Sequence, residues 1–162
     1  MPGSGSHDEG RSAVDLPAWV SALAPEAAAP LAGAAALATE VVDPVLTELA
    51  RIRISQLLGD ATAGAHPDPA ALAAGLDEAT IAELRQWPTS VRFGERERAC
   101  LGLAEQFVID VGGVTDDDVA RVLAALGPAG LYGFVQALYV FDMTRRLQMS
   151  LGALADPPQE AP

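Results

Sequence analysis

The stretch Asp43–Pro69, DPVLTELARIRISQLLGDATAGAHPDP, decides the fold. Asp43 stands where it can cap a helix, and Pro44 takes the first helical position, where a missing N–H costs nothing. Apolar residues then recur at Val45, Leu46, Leu49, Ala50, Ile54 and Leu57, the spacing of one helix face. Gly59 closes the helix, small and polar residues lead to His66, and Asp68-Pro69 repeats the cap-and-proline start. On a helical wheel Arg53 falls inside the apolar stripe, while Glu48, Arg51 and Ser55 fall on the opposite, polar side. An arginine in an apolar stripe is expensive unless paired. Arg53 is therefore expected to meet a carboxylate or carbonyl, or to lie at a subunit contact.

The same punctuation repeats outward from this helix. Upstream, residues 1–14 are Gly, Ser and charge and read as a disordered tail that includes His7, and Leu16–Val42 reads as one or two short Ala-rich helices. Downstream, Gly75 ends the helix begun at Pro69, and Asp77 caps a helix over Glu78–Trp87 that Pro88 stops. Glu95–Val111 carries a stripe at Cys100, Leu103, Ala104, Phe107 and Val111 and breaks at Gly112-Gly113. Thr115 with Asp118 forms a capping-box start for Asp116–Leu126, which Gly127-Pro128 ends.

The last helix runs from Pro128 to about Leu151. Its stripe at Leu131, Phe134, Val135, Leu138 and Phe141 continues onto Asp142, Arg145 and Met149. A core stripe that turns charged predicts a buried ion pair or a polar oligomer contact, so Asp142, Arg145 and Arg146, like Arg53, are expected to orient helices or subunits. Tyr132 and Tyr139 share a face of this helix and read as core or interface residues. Residues 153–162 form an acidic, Pro-rich tail, leaving 15–152 as a single domain. Alternation of the strand type never persists, so the class is all-α.

Half of the 162 residues are hydrophobic, enough for one substantial core. The net charge of −12, with Arg as the only basic residue beside His, argues against nucleic-acid and anionic-membrane partners. A single cysteine, Cys100, precludes a disulfide within the chain and any Cys-based metal cluster. The Ala24–Ala38 run is broken by Pro25, Glu26 and Pro30, and the N-terminus lacks the basic and apolar regions of a signal peptide. The expected location is cytoplasmic.

The order of LTELARIRISQLLGD, AALAAGLDEATIAELRQW, FGERERACLGLAEQF and a long final helix resembles the carboxymuconolactone decarboxylase and alkylhydroperoxidase-D-like superfamily, over roughly Pro44–Leu151. That resemblance implies an orthogonal bundle of about six to eight helices, assembled as a trimer or hexamer. Its peroxidase members carry a Cys-x-x-Cys pair twelve residues after a glutamate, with a histidine four residues beyond the second cysteine. The glutamate's place is kept here by Glu48. The cysteines' places hold Asp60 and Ala63, and the histidine's place holds Pro67, with His66 one position early. Thiol chemistry needs a thiolate and a relay, and both thiols are gone.

Glu48, His66 and Asp60 are the candidate catalytic residues, as acid–base groups. One Glu, one Asp and one His are too unspecific for a metal site, and no cofactor is expected. Two functions follow. In the first, the chain is a redox-inactive helical homo-oligomer that binds or assembles, holding a small hydrophobic ligand or a protein partner. In the second, it is a cofactor-free lyase or isomerase in which Glu48 or His66 moves a proton beside a carbonyl or lactone.

Overall fold

The structure is a computed structural model that describes residues 40–60 and 63–155, with the single positions 26, 30, 33 and 34. The expected tail over 1–14 lies outside the described residues. So does most of the 153–162 tail and of the Leu16–Val42 helices. Five α-helices are described: α1 (Pro44–Leu57), α2 (Pro69–Ala73), α3 (Glu78–Glu83), α4 (Glu95–Ile109) and α5 (Asp116–Ala155). Short 3-10 turns at Ala63–Ala65, Leu84–Gln86 and Val111–Gly113 join them, and no strand occurs among the described residues.

The caps form where the local chemistry placed them. Asp43 accepts from the Val45 N–H at 2.8 Å, Asp68 from Ala70 at 2.7 Å and Asp77 from Thr80 at 2.7 Å. Thr115 and Asp118 close a reciprocal box, Thr115 N–H to Asp118 Oδ2 at 3.0 Å and Asp118 N–H to Thr115 Oγ1 at 3.3 Å. Hydrogen bonds from Thr115, then the nearby Arg121, hold the Asp118 carboxyl below its ordinary value, and Thr80 does the same for Asp77.

One difference from the expected boundaries is local: the helix expected over Glu78–Trp87 tightens into a 3-10 turn at Leu84, whereas the break expected at Gly127-Pro128 occurs inside the α5 span. At Gly127 the backbone takes φ +71 and ψ 176, a conformation only glycine adopts without strain. Pro128 then restarts the helix, so α5 is two helical pieces that meet at a kink.

α1 is central because it is covered on two sides. Its Leu46, Ala50 and Ile54 join Cys100, Leu103, Ala104, Phe134, Ala137, Leu138 and Phe141 in a cluster shared with α4 and α5. Its Leu49 and Ile52 join Ala71, Leu76, Leu84, Phe93 and Leu101 in a second cluster under α2, α3 and the loop before α4. The polar side expected at Glu48 and Ser55 is therefore not solvated: both are buried. Arg98 fixes that loop by donating to the backbone carbonyls of Phe93, Ser90 and Pro88.

By length and composition α5 could cross a membrane, with a mean hydropathy of 1.4 over its most apolar window. Its apolar content has a plainer cause, since it delivers Phe134, Ala137 and Leu138 to the core. The tyrosines do not fill that core: Tyr132 is 69% and Tyr139 55% exposed, and Met149, expected on the stripe, is 48% exposed.

Candidate functional site

Glu48 lies in the middle of α1 and is 2% exposed. Both of its oxygens are occupied. Arg51, one turn on, donates Nε to Oε2 and Nη2 to Oε1, each at 2.7 Å, the bidentate fork that makes such pairs strong. The Asp68 backbone N–H donates to Oε1 at 3.0 Å. The carboxylate thus ties the start of α2 back onto α1, and each of its oxygens already accepts a hydrogen bond.

Asp60 follows the Gly59 turn, where φ is +91, and its Oδ2 lies 3.2 Å from Nη2 of Arg145 on α5. The Arg145 Nε and the hydroxyl of neighbouring Thr144 are buried and have no hydrogen-bond partner among the described residues. His66 is exposed, and no hydrogen bond or ion pair among the described residues joins it to Glu48 or Asp60. The three candidates are held by three different arrangements. An open cleft of about 480 Å³ beside them is lined by Gly64, Ala65, Pro67, Leu72, Glu78, Ile81 and Ala82, and none of the three lines it.

Arg53 meets the carboxylate its place in the stripe demanded. Its Nε donates to Glu105 Oε1 on α4 at 2.5 Å, and Trp87 Nε1 donates to the same oxygen at 2.7 Å. Trp87 packs against the second cluster, and sequence patterning did not single out Trp87 or Glu105. The available signal was an acidic residue on the packing side of α4 with an arginine needing a partner. Arg53→Ala is expected to cost about 1–3 kcal/mol, because Glu105 keeps only the indole N–H. Thermal unfolding of the variant beside Glu105→Gln measures it.

Of the α5 charges, Arg146 donates to Asp142 at 2.8 and 2.9 Å and to the Val108 carbonyl at 3.3 Å, linking α5 to the end of α4. Among the described arginines, all but Arg85 donate to or form an ion pair with a carboxylate or carbonyl in the contacts above or in the surface pairs Arg92–Glu83, Arg96–Asp43 and Arg121–Asp118.

Cys100 is 1% exposed in the larger cluster, and burial, which outweighs the opposing pull of the Arg96 charge, pushes its thiol from 9.0 to about 12. The folded state resists ionisation that the unfolded chain permits. Stability present below about pH 9 should therefore fall as pH rises toward about 12. Denaturant unfolding across that range should show a steeper decline for the native chain than for Cys100→Ala. No group of His, Cys, Asp and Glu suited to a metal occurs among the described residues.

The geometry defines an all-helical bundle, and a solved structure shares that fold. A crystal structure of an Agrobacterium tumefaciens protein of unknown function, for which an antioxidant-defence role of the AhpD type has been suggested, matches with a TM-score of 0.68 at 19% identity. The match covers 87% of this chain and 97% of that one. The fold is AhpD-like. The profile of the carboxymuconolactone decarboxylase family matches residues 22–106, and the chain belongs to that family. No curated protein sequence matches it.

Proposed function

We propose that this chain is a redox-inactive member of the carboxymuconolactone decarboxylase family. It is a cytoplasmic helical homo-oligomer, trimer or hexamer, acting as a binding or assembly protein without a cofactor. The observation that carries this reading is Asp60. It stands in the place of the nucleophilic thiol and is engaged by the Arg145 guanidinium. A carboxylate held in an ion pair performs no thiol–disulfide exchange, and Ala63 offers no second sulfur. Cys100 is buried and stays protonated at neutral pH. The charge of −12 disfavours nucleic acid and anionic membranes.

The lyase or isomerase reading asks Glu48 to exchange protons while it holds Arg51 and the Asp68 N–H, and asks an arginine for a substrate carboxylate while nearly all are engaged. It is the weaker of the two. An assay with an organic hydroperoxide and a dithiol reductant should give no turnover above background. Thiol-dependent turnover abolished by Cys100→Ala would overturn the proposal.

A further inference from the structure

We draw no further inference here: the strongest candidate, the side-chain cluster of Asp60, Thr144 and Arg145 where the end of α1 meets α5, belongs to the site already described, and nothing in the structure shows what would meet its buried Thr144 hydroxyl and Arg145 Nε.

Discussion

Glu48→Ala is expected to lower stability by about 3–5 kcal/mol, the largest loss from any charged residue of this chain. The side chain is 2% exposed, and its removal takes the bidentate acceptor from Arg51, whose own side chain is 16% exposed, together with the acceptor of the Asp68 N–H. A buried guanidinium without its carboxylate costs far more than the pair contributed while intact, since the desolvation penalty stays and the attraction is gone. Two further variants separate charge from shape. Glu48→Gln keeps an oxygen for the Asp68 N–H and should fall between the native chain and Glu48→Ala. Glu48→Leu combined with Arg51→Met removes both charges and should recover most of the loss. Chemical denaturation of the four chains decides it. If Glu48→Ala unfolds within about 0.5 kcal/mol of the native chain, the residue is not holding the segment, and a proton-transfer role regains its claim.

The positions that sequence made legible share a physical property: their determinants lie within a few residues. Asp43, Asp68, Asp77 and Thr115 each satisfy an orphan N–H two or three residues on, so a local pattern suffices to place them. Arg53 was legible for a different reason, since a guanidinium in an apolar stripe is tolerable only with an acceptor, and Glu105 supplies it. The burial of Glu48 was not legible. Its neighbours on the wheel are polar, and the second core cluster that encloses α1 is assembled from Ala71, Leu76, Leu84 and Phe93, up to some forty residues away. One clue lay in Ile52, which falls outside the apolar stripe and is fully buried. An isoleucine beside Glu48 meant that the supposed solvent side was also packed. The Asp60–Arg145 pair escaped for a similar reason, because its members lie 85 positions apart on elements whose packing no local pattern fixes.

Phe134→Ala should be the most damaging core substitution, at about 3–5 kcal/mol. Among the described residues Phe134 is the largest side chain with no exposed surface, and it sits where α1, α4 and α5 converge, in one cluster with Ala50, Ile54, Cys100, Leu103, Ala104 and Leu138. Its neighbours explain why the hole cannot close. Ala50, Ala104 and Ala137 are already the smallest side chains that allow close helix approach, so they cannot swing in to fill it, and the helices would have to translate as rigid bodies. Moving α5 toward α1 would also press on the Asp60–Arg145 link and on the Gly127 break, both set by the present spacing. The cavity should therefore persist and the penalty stand near the top of its range. For a chain of this size the loss corresponds to a fall in Tm of roughly 10 °C or more. Phe134→Leu, which retains most of the volume, should lose less than half as much. Calorimetry of both variants settles the point: equal losses for Ala and Leu would mean that the ring's shape rather than its volume holds the three helices together.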